Sequence, residues 1–452
     1  MKRYLTLMLL LPLLLLLAAT RVGAQSIESA PKTPAPQPSP SSSMTRPRTV
    51  TPQTPQPQTQ QPPPASTTQP QRSGQALPPA TATLPPATGT NVNGATQTNG
   101  QTTATAQTDA QAQSPAHQLS LLKARSRILE AQRLLKSRPV QTALVTPGFY
   151  AVRVAALDPE TSQIHLLTLA KESFMTKDAQ LPAITSEGRN VQVRVLRVNG
   201  VNTAVSITDT AGRSLTPLVV EFPIERNGVF REMAYYTSAH PALLSPDVVK
   251  AGQTYVRSMV ELAARRLREK GFAIEPTILD QAERLCVVEH VDHDRFRKEN
   301  RLALFEEIYS LYALNELDTY RYSVSSAGAG GMVQMIPWTY QMIRQRHAGA
   351  GLNPDFVAGM RNHGNALEAM LLYMQDTWND LTRDPEVTNA LLTKTATPAE
   401  LMAAGYNSNP ARLPQYLRRG GEGWKSLIPR ETQMYLQIYR AVEALIPVKP
   451  RG

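Results

Sequence analysis

The chain of 452 residues has a single cysteine, Cys286, so an internal disulfide is excluded. It has only one long apolar run, which excludes a membrane protein with several spans. Residues 25–115 lack Phe, Tyr and Trp and hold 18 of the 37 prolines. Such a segment buries too little apolar surface to offset the entropy lost on ordering, so it cannot supply a hydrophobic core. The chain is therefore not one uniform globule.

A strong excess of charge is also missing from most of the chain. The net charge is +11, of which +3 belongs to residues 1–24 and +2 to residues 25–115. The remaining +6 would suit the anionic surface of a cell wall or a membrane, and it would serve equally well as a simple solubility charge.

The N-terminus has the features of an export signal. Lys2 and Arg3 precede the apolar run Leu5–Ala19, and residues 22–24 (Val-Gly-Ala) supply small side chains for cleavage after Ala24. The run is short for a membrane span of ~20 residues, but a retained anchor helix stays open as the alternative. We expect a signal peptide over residues 1–24 and an exported protein of the periplasm or cell envelope. Nucleic acid is then not an expected partner.

Residues 25–115 are predicted to be a disordered linker rich in Pro, Gln and Thr. An amphipathic helix is predicted over residues 116–138, because Leu121, Ile128 and Leu135 recur at a spacing of seven. Its apolar stripe could pack on the next domain or on a partner helix, and we favour packing.

A small all-β module is predicted over residues 140–230. Residues 191–198 alternate between apolar and polar side chains, Asn199-Gly200 follows, and residues 201–207 begin a second run. An Asn-Gly pair between two such runs is typical of a β-hairpin. The module contains no catalytic pattern, and its function cannot be predicted from its residues.

The helical period returns over residues 240–452. All three Trp and 13 of the 15 Tyr lie beyond residue 234, so this end of the chain is rich in aromatic side chains. Helices are predicted from Pro246 to Lys270 and from Pro276 to Val288, since Pro favours the first turn. Cys286 shares the apolar face of the second helix and is expected to be buried and unreactive.

Several short motifs carry little weight. The run Glu289–Asp294 contains two His three positions apart but no third ligand of fixed spacing, so a solvated helix end is favoured over a metal site. The glycines of residues 328–331 lack the ending of a phosphate-binding loop, and no Gly-x-Ser-x-Gly motif is present. The sequence indicates no metal and no cofactor.

Glu316 has the surroundings of a candidate acid. It is flanked by Leu314 and Leu317 and precedes a glycine-rich stretch, residues 325–337. Apolar surroundings raise the pKa of a carboxyl group, and a neutral Glu can protonate a glycosidic oxygen. Glycines would let a sugar approach the backbone closely. The residues alone also permit a surface glutamate beside an ordinary loop.

The segment Glu316–Pro337 resembles the central motif of lytic transglycosylases, enzymes that cleave peptidoglycan. Ser325 lies nine positions after Glu316 and Gln334 lies eighteen positions after it, as in that family. Leu317 departs from the family, which usually has Ser directly after the Glu, and this puts the usual support of the carboxylate in doubt.

Two later blocks resemble further motifs of the same family, in the same order. They are residues 404–413, Ala-Gly-Tyr-Asn-Ser-Asn-Pro-Ala-Arg-Leu, and residues 429–435, Pro-Arg-Glu-Thr-Gln-Met-Tyr. The resemblance covers about residues 300–445 and looks closest to the membrane-bound type D enzymes. It implies a mainly α, lysozyme-like catalytic domain over residues 240–452 in a multidomain protein.

The resemblance also implies a mechanism and its residues. Glu316 would act first as acid and then as base on the bond between N-acetylmuramic acid and N-acetylglucosamine, leaving a 1,6-anhydro product. The glycan strand of peptidoglycan would be the partner, bound by Ser325, Gln334, Tyr406, Asn407, Glu431 and Tyr435. The alternatives are a hydrolytic muramidase of lysozyme type and a non-catalytic protein that binds or organises the wall.

Overall fold

The structure is a computed structural model that describes residues 118–138, 150–226 and 228–451, all of which belong to one compact unit. Seven strands form one antiparallel sheet, with bounds β1 Ala151–Leu157, β2 Ile164–Ala170, β3 Gln180–Ile184, β4 Asn190–Arg197, β5 Ala204–Asp209, β6 Ser214–Arg226 and β7 Val229–Tyr236. The described helices are α1 Leu121–Ser137, α2 Lys171–Phe174, α3 Pro246–Glu269, α4 Pro276–Val288, α5 His293–Lys298, α6 Arg301–Asn315, α7 Pro337–Arg346, α8 Phe356–Met360, α9 His363–Thr382, α10 Pro385–Leu392, α11 Pro398–Asn407, α12 Leu413–Gly420 and α13 Arg430–Leu445.

The sheet curls into a nearly closed barrel. Its strand order is β2-β1-β6-β5-β4-β3, and β7 pairs with the far half of the long strand β6. The two end strands come close together, since Ser186 donates its backbone N–H to the carbonyl of Leu166 at 2.9 Å. The barrel interior is filled by every second side chain along a strand, such as Val191, Val193 and Val195 of β4.

The predicted hairpin is confirmed, because β4 and β5 pair antiparallel with Val193 opposite Ile207. Its turn is longer than the two residues of an Asn-Gly turn. A 3₁₀ turn spans Gly200–Asn202, and the Thr203 hydroxyl accepts the backbone N–H of Asn199 at 3.0 Å. The first residues expected for the second strand therefore belong to the connection.

Helix α1 packs against the protein, as favoured from its apolar stripe. Ile128 and Leu135 are buried in a cluster with Leu218 of β6. A buried ion pair fastens the helix end, since Arg153 of β1 contacts Glu221 of β6 at 2.6 Å and donates to the carbonyl of Leu135 at 2.6 Å. Removal of either partner would leave an uncompensated buried charge.

The predicted helix starts at Pro246 and Pro276 are confirmed, and Cys286 is fully buried on α4. Helix α6 is buried on all sides over residues 308–314, which is typical of a helix enclosed by its neighbours. It is covered by α3 on one side and by the sheet end on the other. Asn315 at its end exchanges two hydrogen bonds with the backbone of Thr237, at 2.8 and 2.9 Å.

The predicted fold class is wrong. We expected a small separate β module before a mainly α, lysozyme-like domain, whereas the structure has a nearly closed barrel-like sheet over residues 151–236 followed by helices that share its core. One buried cluster includes Phe222 and Tyr236 of the sheet together with Tyr312 of α6. The reason is physical. The sheet and the helices each have an apolar surface, and each surface is buried only where the sheet packs against the helices.

The predicted signal peptide and Pro-rich linker lie outside the described residues. Among the residues that the structure describes, no helix combines the length and apolarity needed to cross a membrane.

Candidate functional site

A groove of about 1500 Å³ lies between the sheet and the helices. One wall comes from β6, β7 and the loop after β4, and the other comes from the end of α4, the segment after α6 and the glycine-rich loop. Typical small-molecule pockets measure roughly 300–1,000 Å³, so this groove is large enough for an extended ligand.

Glu289 is the acid at the floor of this groove. It directly follows α4 as its C-cap, and its side chain accepts a hydrogen bond from the Tyr435 hydroxyl of α13 at 2.5 Å. Burial raises the pKa of Glu289 to about 8; the Tyr435 hydrogen bond opposes this rise, and the nearby Glu431 carboxylate adds to it. The group is therefore mostly neutral at pH 7 and can donate a proton.

The local sequence explains this position. Helix α4 ends in the apolar residues Leu285–Val288, which anchor the preceding turn in the core and hold Glu289 against it. The C-terminal end of a helix carries partial negative charge, which also disfavours an ionised carboxylate there. The chain thus places one acid where the charged form is least stable.

His290 connects Glu289 to the glycine-rich loop. Its ring stacks on Tyr320 with centroids 3.4 Å apart, and its Nε2 lies 3.0 Å from the carbonyl of Met332. Burial lowers the pKa of His290 to about 3, so the ring is neutral at pH 7 and donates from Nε2 to that carbonyl. We infer that His290 fixes the loop rather than transferring protons.

Ser325 and Gln334 both line the groove. The Ser325 hydroxyl accepts the backbone N–H of Ala329 at 3.0 Å and so shapes the loop. The Gln334 amide donates to the Ser323 hydroxyl at 3.2 Å and to the carbonyl of Gly331 at 2.8 Å.

The glycines of the loop have two roles. Gly328 lines the groove with φ +79°, and an added Cβ there would lie 3.9 Å from the ring of Pro337. Gly331 instead packs against α8: its φ is +68°, and an added Cβ would lie 2.3 Å from the carbonyl of Met360. Only glycine fits there, because of packing and not because of a ligand.

Tyr406 and Tyr435 support the site from behind. The Tyr406 hydroxyl donates to the carbonyl of Val333 at 2.6 Å, which fastens the glycine-rich loop to α11, and Tyr435 reaches Glu289. Neither belongs to the lining of the groove among the described residues. Their predicted contact with the glycan would therefore be indirect.

Asn407 and Glu431 lie on α11 and α13. Asn407 is the last residue of α11, and Glu431 is exposed in the first turn of α13, a position that favours an acidic side chain. Within the described part of the chain, neither lines the groove.

Glu316 does not have the surroundings expected from the sequence. Its side chain is 54% exposed and forms an ion pair with Arg125 of α1 at 2.6 Å, and Leu317 is 60% exposed. It is not among the described residues that line the groove. The backbone there is strained, with φ +48° and ψ −119°, in a region that L-residues rarely adopt. Its catalytic role stays a prediction, without the enclosure that motivated it.

The structure thus brings Glu289, Ser325 and Gln334 to one groove, with two tyrosines behind them, and leaves Glu316 outside. Sequence reasoning missed Glu289, which appeared only as part of a weak metal motif. A usable signal was present, because a glutamate directly after the apolar end of a predicted helix has a side chain close to the core. Among residues 118–138, 150–226 and 228–451, no three His, Cys, Asp or Glu side chains are arranged to hold a metal ion.

Comparison with known proteins gives no family: no protein-family model, curated protein or solved structure matches this chain.

Proposed function

We propose that this chain is an exported enzyme that cleaves the glycan strands of peptidoglycan as a lytic transglycosylase, with Glu289 as its acid. The observation that carries the proposal is a neutral carboxyl group at the floor of a large groove beside the glycine-rich loop. The resemblance of residues 316–337, 404–413 and 429–435 to lytic transglycosylases supports the choice of substrate.

The other carboxylates along the groove are engaged in structural contacts, which favours a route with one acid. Glu307 is held by Arg295 at 2.7 Å and by Arg197 at 2.8 Å. Asp292 caps α5 through the backbone N–H groups of Asp294 and Arg295. Glycosidases that use two carboxylates need a second one free beside the scissile bond.

Glu289 donates its proton to the oxygen between N-acetylmuramic acid and N-acetylglucosamine as the glycosidic bond breaks. The 6-hydroxyl of the same muramic residue attacks its C1, directly or after its acetamido group has done so. The resulting Glu289 carboxylate accepts the 6-hydroxyl proton, which restores the acid and leaves a 1,6-anhydro ring. The Tyr435 hydroxyl supports the ionised form in between, since its hydrogen bond lowers the pKa of Glu289.

Placing the acid at Glu289 changes the spacing on which the resemblance was first built. Glu289 lies 27 positions before Glu316. With Glu289 as the acid, the segment from the acid to Gln334 is therefore 27 residues longer than in the family motif, which matches from Glu316 without a gap. The extra stretch contains α5 and α6, and α6 is a buried core helix.

Product identity tests the proposal. Purified peptidoglycan is incubated with the full chain, and the released fragments are analysed by mass spectrometry, with the Glu289→Gln variant as the control for contaminating activity. We expect 1,6-anhydro-muramyl fragments from the wild type only. Reducing-end muramic acid would identify a hydrolase instead, and glycan binding without cleavage would identify a wall-binding protein.

A further inference from the structure

The walls of the groove carry an excess of positive charge. Six cationic side chains line it, against three carboxylates besides the neutral Glu289. The cations are Lys171, Arg197, Arg226, Arg231, Arg295 and Arg361. A neutral glycan backbone gives no reason for such a lining, because sugar hydroxyls and acetamido groups carry no charge.

Four of these cations have structural partners. Lys171 pairs with Glu225, Arg197 and Arg295 share Glu307, and Arg361 contacts Glu232 at 2.6 Å. These ion pairs hold the groove walls together. They account for four of the six cations but not for Arg226 and Arg231.

Arg226 and Arg231 stand at the tip of the β6–β7 hairpin. Both are exposed, and neither forms an ion pair with another residue that the structure describes. The pairing register shifts so that Phe230 faces Glu225 and Glu232 faces Ile224, which leaves Arg231 as an extra residue in a β-bulge. Bulges redirect single side chains and are common beside binding sites.

We propose that this pair, Arg226 and Arg231, binds the carboxylates of the peptide stems that peptidoglycan carries on N-acetylmuramic acid. The inference rests on the proposed function and specifies its substrate: strands with peptide stems rather than bare glycan. The guanidinium group presents its donors in a planar fork that matches a carboxylate. The groove is large enough to hold a glycan segment along the helical wall and its stem along the sheet.

The test measures binding to the full chain in the Glu289→Gln background, so that no ligand is consumed. One probe is a muropeptide tetrasaccharide with its stems, and the other is a tetrasaccharide of N-acetylglucosamine, which carries neither stems nor carboxylates. The test variant is Arg226→Gln with Arg231→Gln. The matched control is Lys177→Gln with Arg194→Gln, two exposed cations of the barrel that lie outside the groove lining.

We expect the test variant to bind the stem-bearing probe about 10-fold more weakly and the bare probe within about twofold of the parent, since two charge-assisted contacts are lost. The parent's preference for stems should also shrink as salt is raised. An equal loss for both probes, or an equal loss in the control variant, would overturn the stem site. Anhydro products with no stem preference would leave the proposed function standing, whereas no product and no binding of either probe would remove both.

Discussion

Two glutamates each follow a buried helix, and their surroundings are opposite. Glu289 follows α4 and lies at the floor of the groove against Tyr435, whereas Glu316 follows α6 and points outward to Arg125. Each follows the apolar end of its helix, Glu289 directly after Val288 and Glu316 two residues after Leu314, so local sequence hardly separates them.

The difference lies in partners that are distant in sequence. Tyr435 is 146 positions from Glu289, and Arg125 is 191 positions from Glu316. Burial keeps the first acid mostly neutral at pH 7, although the Tyr435 hydrogen bond favours its ionised form, while the second acid forms an exposed ion pair with Arg125. The same residue type is therefore enclosed and mostly neutral in one place and is a surface ion-pair partner in the other.

The largest expected effect separates the two acids by activity. Glu289→Gln should lower the rate of peptidoglycan cleavage by roughly 10²–10⁴-fold, because general acid–base catalysis contributes about that much. Glu316→Gln should stay within about twofold of the wild type. The reverse pattern, measured as anhydro product released over time, would restore Glu316 as the acid.

The pH dependence of cleavage should report the pKa of the acid. Burial raises the pKa of Glu289 to about 8, and the neutral form is the donor, so kcat/KM should fall about tenfold per pH unit above pH 8. Tyr435→Phe removes the hydrogen bond that lowers this pKa and should move the fall to higher pH. A decline that begins near pH 4.5 would contradict a buried acid.

The same shift predicts a stability difference that grows with pH. The carboxyl of Glu289 has a higher pKa in the folded chain than the 4.5 of an unperturbed glutamate, so its contribution to stability is complete below pH 4.5 and is lost as pH rises toward 8. Glu289→Gln removes this loss and should raise Tm relative to the wild type by ~2 °C or more at pH 8 and by less at pH 5. Thermal unfolding at the two pH values provides the measurement. Glu316→Gln, at the exposed position, is the control and should not show a Tm difference that grows with pH.

The smallest expected effect tests the strained backbone at Glu316. Both Glu316→Ala and Glu316→Gly remove the exposed ion pair with Arg125, which is itself worth only about 0–1 kcal/mol. Only Gly tolerates φ +48° and ψ −119° without strain. The Gly variant should therefore be more stable than the Ala variant by ~1–2 kcal/mol in denaturant unfolding. Equal stabilities would show that the conformation is not strained.

Part of the fold was accessible from local pattern. The starts of α3 and α4 at Pro246 and Pro276, the pairing of β4 with β5, and the burial of Cys286 all follow from periodicity and turn chemistry within short windows. Ser325 and Gln334, predicted from a motif and its resemblance to a family, do line the groove, and their binding role stays a prediction. The enclosure expected for Glu316 is absent because its neighbours in sequence, Leu314 and Leu317, do not cover its side chain in space, and its catalytic role stays a prediction.

The amino-acid sequence by itself determined where helices and strands form, because hydrophobic period, proline and glycine act within a few residues. Tertiary structure alone decided that the barrel and the helices share one core, that a groove opens between them, and that Glu289 faces it. The physical reason is that burial and its effect on a carboxyl group depend on residues such as Tyr435 that folding brings together from far along the chain.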